Sequence, residues 1–132
     1  TRGTTREHII RAAQESIAYQ VNDLLTAMKR DTGVALSSLS VDGGASRDSF
    51  LMQFQADISN CTIRRPVIRE TTALGACYLA GLATGVWSSR DELKELWRCD
   101  TLYAPSMEDE KRSRLLNGWD KAVGRSLDWA EH

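Results

Sequence analysis

The chain has 132 residues, with 42% apolar and 27% charged side chains, 17 Lys plus Arg against 18 Asp plus Glu, and a formal net charge of −1. Those proportions describe one ordinary globular unit and exclude a disordered tail, a collagen-like fibre and a membrane-embedded protein. A near-zero net charge also excludes a bulk electrostatic pull toward nucleic acid or an anionic membrane.

The first element is a helix over Thr5 to Arg30. Thr4 with Glu7 three positions on fits a capping box, and Ile9, Ile10, Ala13, Ile17, Val21, Leu24, Leu25 and Met28 follow at helical spacing as one buried stripe. Gly33 is a stop signal. Leu36 to Val41 alternates apolar residues with serine and predicts a short strand. Asp42-Gly43-Gly44 then turns the chain into a second helix, with Ser46 as its candidate cap and Phe50, Leu51, Phe54 and Ile58 as its apolar stripe.

Cys61 to Arg65 predicts another strand, ended by Pro66. Thr71 to Gly85 is rich in Ala and Gly and predicts a helix buried by close backbone packing. Asp91 to Trp97 predicts a short helix. Glu108 to Trp129 predicts a longer one that turns Leu115, Leu116, Trp119, Val123 and Ser126 inward. Helices alternating with two strands give an α/β class. Two strands are few for a stable sheet. The chain also begins at Thr1 directly on a helix signal. Both features set the expectation of a fragment whose remaining strands precede Thr1.

Several chemistries find no support. Cys61, Cys77 and Cys99 are odd in number and lack C-x-x-C spacing, which disfavours a disulfide scaffold or a thiolate zinc site. His8 and His132 lie at opposite ends, so neither a histidine metal cluster nor a Ser/His/Asp or Cys/His set assembles. The apolar run from Ala73 to Trp87 is shorter than the roughly 18 to 20 residues a membrane span requires. Arg64, Arg65 and Arg69 form the densest basic cluster. No aromatic residues interleave with them, and they read as a solvated surface rather than a nucleic-acid patch. Glu70 and the acidic start of the last helix read as compensation of helix dipoles. Trp87, Trp97, Trp119 and Trp129 read as packing residues.

Asp42-Gly43-Gly44 is the one local pattern with two live readings. Asp-Gly is a common tight-turn signal. Glycines ahead of a helix N-terminus also let an anion or nucleotide approach free backbone N–H groups. Neither a P-loop nor a G-x-G-x-x-G fingerprint is present.

The run from Val41 to Ile58, V-D-G-G-A-S-R-D-S-F-L-M-Q-F-Q-A-D-I, resembles the adenosine-motif segment of the FGGY carbohydrate kinases. His8 to Gln20 resembles the family helix before that motif, Glu70 to Trp87 the helix after it, and Gly118 to Val123 its C-terminal helix. The resemblance covers essentially the whole chain. It implies a helix-rich part of an actin-like ATPase (ribonuclease H-like) domain, with residues 1–132 forming the C-terminal part of the family's nucleotide-binding domain.

It further implies Mg-ATP as phosphoryl donor, a glycerol hydroxyl as acceptor and glycerol 3-phosphate as product, in a homo-oligomer. The cytoplasmic expectation comes from Cys61, Cys77 and Cys99, which read as buried or idle thiols in a reducing compartment. Phosphoryl transfer depends mostly on positioning and charge neutralisation. The resemblance places the aspartate base, the polyol pocket and the Mg-linked phosphate loop upstream, so this chain holds no catalytic or metal residue. Its own share is Gly44 beside the nucleotide, Gly43 and Ala45 shaping the turn, and the residue four beyond Gly44 against the adenosine. That residue is Asp48, where the family usually has Asn. A carboxylate accepts but cannot donate, and it brings negative charge toward an anionic ligand. The alternatives are a kinase of another polyol or sugar in the family, or a non-catalytic nucleotide-binding or interaction module.

Overall fold

The computed structural model describes residues 1–127. Five helices and three strands run in the order α1 (Arg6–Thr32), β1 (Ser38–Ser40), α2 (Ser49–Ser59), β2 (Thr62–Pro66), α3 (Thr71–Thr84), α4 (Arg90–Leu96), β3 (Cys99–Tyr103) and α5 (Asp109–Ser126). A four-residue 3-10 turn, Gly44–Arg47, stands between β1 and α2.

The sheet has the order β1-β2-β3. β1 pairs parallel with β2, and β3 antiparallel with β2. Leu39, Ile63 and Tyr103 align across the three strands, as do Ser40, Arg64 and Leu102. Alternation then assigns the first row to one face and the second to the other. The Leu39–Ile63–Tyr103 face meets α2, which lies between the sheet and α1 and supplies Leu51, Met52, Phe54, Ala56 and Ile58 to the core. Ala18 and Tyr19 join from α1. Ile63 is fully buried at the centre.

Asp57 ties the loop after β3 to α2. Its Oδ1 accepts from the Ser106 and Met107 backbone N–H groups at 2.7 and 3.2 Å. Trp119 docks α5 by stacking on Tyr19, 5.2 Å between centroids, and by donating its indole N–H to Asp23 at 2.7 Å.

The apolar stripe of α1 expected to be buried is largely exposed at Ile9, Ile10, Ile17, Leu24 and Met28, and the buried residues of α1 are Ala18 and Tyr19 beside it. The structure corrects five further expectations about these elements. The N-cap of α1 is Thr5 rather than Thr4, and the reciprocal partner of its capping box is His8 rather than Glu7. The chain carries a third strand, β3, where Cys99-Asp100-Thr101-Leu102-Tyr103 shows no alternation to betray it. The cap of α2 is Asp48, whose Oδ1 accepts from the Leu51 N–H at 3.1 Å, while Ser46 is consumed inside the 3-10 turn.

The fourth correction concerns α3. It is largely exposed, with only Gly81 buried and Leu79 at 71% exposure. Small residues permit close packing only where another element arrives, and among the described residues Trp87 is the side chain that packs on α3, against Gly81 and Tyr78. The fifth concerns α5. Leu115, Leu116 and Trp119 do pack against the core, but Val123 and Ser126 face outward. Trp129 lies outside the described residues.

Candidate functional site

Gly43 and Gly44 differ in what they require. Gly43 has φ +75° and ψ −176°, a backbone region open essentially to glycine alone. Gly44 has no such need. A Cβ built on either would meet nothing within 4 Å, so the difference lies in the backbone angle of Gly43. Gly43 therefore bends the chain, and the space beside exposed Gly44 is open. Ala45 beside it is exposed as well. Gly44 and Ala45 open the 3-10 turn, so their N–H groups have no carbonyl within it to serve.

The turn is pinned from below. The Gly43 N–H donates to the Arg69 carbonyl at 2.9 Å, and the Ser46 N–H and Oγ both donate to the Gly43 carbonyl, at 3.3 and 2.7 Å. Ser46 is buried, and its carbonyl accepts from Arg65 Nη1 at 3.3 Å. The arrangement presents two exposed amides and a bare Cα on a rigid base, which suits close approach of a ligand bearing acceptor oxygens.

Asp48 follows directly. One carboxylate oxygen caps α2 and the other accepts from the Gln14 side-chain amide of α1. A carboxylate at a helix N-terminus is favoured by the helix dipole. The four expected residues thus fall in one stretch of surface, with Gly44 and Ala45 facing out, Gly43 shaping the bend and Asp48 anchored at its edge.

The basic cluster departs from the expected solvated surface. Arg65 is only 11% exposed and pairs with Asp100 of β3 at 3.1 Å. Arg69 lies 3.7 Å from the same carboxylate. Arg64 lies over the Trp97 ring, 4.4 Å from its centroid. Hydrogen bonds from Thr101 and Arg65, aided by the charges of Arg65 and Arg69, hold the Asp100 carboxyl below its ordinary value. Sequence reasoning missed Arg65 and Asp100 because their pairing depends on β3, which has no periodic signal. The Cys99–Tyr103 run of mixed polar and aromatic residues before Ala104-Pro105 is the only trace of it.

On the opposite face of the sheet, α3, α4 and β2 border a groove of about 1000 Å³ lined mainly by apolar side chains, including Val67, Ile68, Leu74, Leu79 and Trp97. Among the described residues, no group of three or more His, Cys, Asp or Glu is arranged to hold a metal, and no helix is long and apolar enough to cross a membrane.

Residues 1–84 match the C-terminal domain of the FGGY family of carbohydrate kinases. Over 131 residues the chain is 59% identical to the glycerol kinase of Caldanaerobacter subterraneus subsp. tengcongensis and 61% identical to that of Clostridium botulinum strain Alaska E43. In each case the match covers 99% of this chain and 26% of the relative, so the chain spans about a quarter of the length of these relatives. Among solved structures, Plasmodium falciparum glycerol kinase with ADP superposes with a TM-score of 0.85 at 39% identity, over 98% of this chain and 26% of that one. The xylulose kinase of Lactobacillus acidophilus superposes at 0.74 with 22% identity, a likeness of fold.

Proposed function

Since this chain belongs to the FGGY family of carbohydrate kinases, as part of its C-terminal domain, we propose that it is the C-terminal portion of an ATP-dependent kinase that phosphorylates glycerol to glycerol 3-phosphate. The observation that carries the substrate assignment is the 59% identity to a glycerol kinase across 99% of the chain.

Residues 43–48 form one wall of the nucleotide pocket in this reading. The two exposed amides of Gly44 and Ala45 support it, as does the open space at Gly44. Gly44 lets the nucleotide lie against the backbone, Gly43 and Ala45 set the shape of that wall, and Asp48 stands at its adenosine end. The acceptor site, the catalytic base and the groups that hold Mg belong to the remainder of the enzyme. The chain contributes position and hydrogen-bond donors, which suits a reaction driven by alignment and charge neutralisation. A cytoplasmic homo-oligomer is part of the same proposal.

The test uses the full-length enzyme. It should form glycerol 3-phosphate from ATP and glycerol and use xylulose or gluconate poorly. The reverse preference would refute the substrate assignment. A Gly44→Leu variant should fold and lose affinity for ADP, because the new side chain fills the space assigned to the nucleotide. Chain 1–132 alone should form no glycerol 3-phosphate. Turnover by the pure chain would place the base within it and overturn this division of roles.

A further inference from the structure

We propose that Arg65 is a positioning residue for nucleotide binding, which it serves by holding the 43–46 turn in register with the sheet. This inference rests on the reading of that turn as a nucleotide wall.

The turn has two attachments to β2 and the segment that follows it. At its entry the Gly43 N–H donates to the Arg69 carbonyl at 2.9 Å. At its exit the Ser46 carbonyl accepts from Arg65 Nη1 at 3.3 Å. The exposed amides of Gly44 and Ala45 lie between these two points. The first attachment is backbone to backbone. The second depends on one side chain.

That side chain is itself held by β3. Arg65 Nε donates to Asp100 Oδ2 at 3.1 Å, and Nη2 donates to Thr101 Oγ1 at 2.9 Å. The guanidinium also sits 5.4 Å from the centroid of the Tyr103 ring. A planar guanidinium fixed along one edge has its remaining nitrogen aimed in a set direction. Here that direction is the Ser46 carbonyl. Lysine could keep the charge beside Asp100, but a single ammonium cannot span Asp100, Thr101 and Ser46 with fixed geometry. Because alignment governs phosphoryl transfer, a small drift of this wall weakens nucleotide binding without touching the acceptor site.

The experiment is done in the full-length enzyme. Arg65→Lys should raise the Kd for ADP and the KM for ATP about tenfold, the loss expected from one charge-assisted hydrogen bond. The KM for glycerol should stay within about twofold of wild type, because the acceptor lies elsewhere in the enzyme. Thr101→Val, which removes one of Arg65's anchors and keeps its shape, should move the ADP affinity in the same direction by less. It decides the matter if Arg65→Lys fails to fold. Unchanged ADP affinity in the folded variants overturns the proposal. So does a parallel rise of both KM values with a lowered Tm, which would mark Arg65 as merely structural. Gly44→Leu separates the two levels. If it leaves ADP affinity intact, the reading of the turn and this inference fall together. If it weakens ADP while Arg65→Lys and Thr101→Val do not, this inference alone falls.

Discussion

Gln14 of α1 donates its side-chain amide to Asp48, the residue that caps α2, across 34 positions of sequence. This bond joins the long first helix to the edge of the proposed nucleotide wall. Asp48 has two acceptor oxygens and each meets a donor, so the carboxylate is fully engaged.

Asp48→Ala should therefore destabilise the enzyme by about 1 to 2 kcal/mol through loss of the cap. Asp48→Asn should stay within about 0.5 kcal/mol of wild type, since asparagine caps equally well and the Gln14 amide can turn to accept. Thermal unfolding of the two variants checks the order. Calorimetry with ADP should show a modest change for Asp48→Asn, and an unchanged affinity removes Asp48 from the site.

Gly43→Ala should destabilise by about 1 to 3 kcal/mol, because its φ of +75° with ψ near 180° excludes a side chain. Gly44→Ala should leave stability nearly unchanged, since its Cβ would enter open space. Denaturation midpoints of the pair separate a conformational glycine from a spatial one.

Gly81→Ala should displace Trp87, because an added Cβ would lie 2.1 Å from its Cζ3. The edge-on contact of Trp87 with Tyr78, now 5.2 Å between centroids, would be lost. A destabilisation of about 1 to 3 kcal/mol follows from overpacking. A shift of tryptophan emission absent from a Gly81→Ala/Trp87→Leu double variant would confirm the cause.

Burial, and secondarily the charge of Glu15, pushes the Tyr19 phenol above its ordinary value of 10.0. The native state thus keeps this proton longer than the unfolded chain does. Tyr19 lowers stability only as pH rises from about 10 through its native value, and it contributes no pH dependence below that. Tyr19→Phe should show a smaller loss of Tm between pH 9 and about 11, and an equal loss would exclude Tyr19 from the alkaline transition.

The sequence by itself determined the helices, because each is a local pattern. The Ile9-to-Met28 spacing and the Phe50-to-Ile58 stripe act within a few residues of one another. It also determined that Gly43 and Gly44 form a turn between a strand and a helix. Tertiary structure decided what each glycine is for, because an empty volume and a positive φ are properties of the folded backbone. It decided that Asp48, and not Ser46, caps α2, since Ser46 is drawn inward onto Gly43. It decided the fate of the arginines as well. Arg64, Arg65 and Arg69 read as solvated charge in one dimension. β3 turns Arg65 into a part-buried strut because it brings Asp100 and Thr101 alongside from 35 and 36 positions away. Helices are encoded by near neighbours, whereas a strand without alternation and the ion pair it carries exist only once the sheet has assembled.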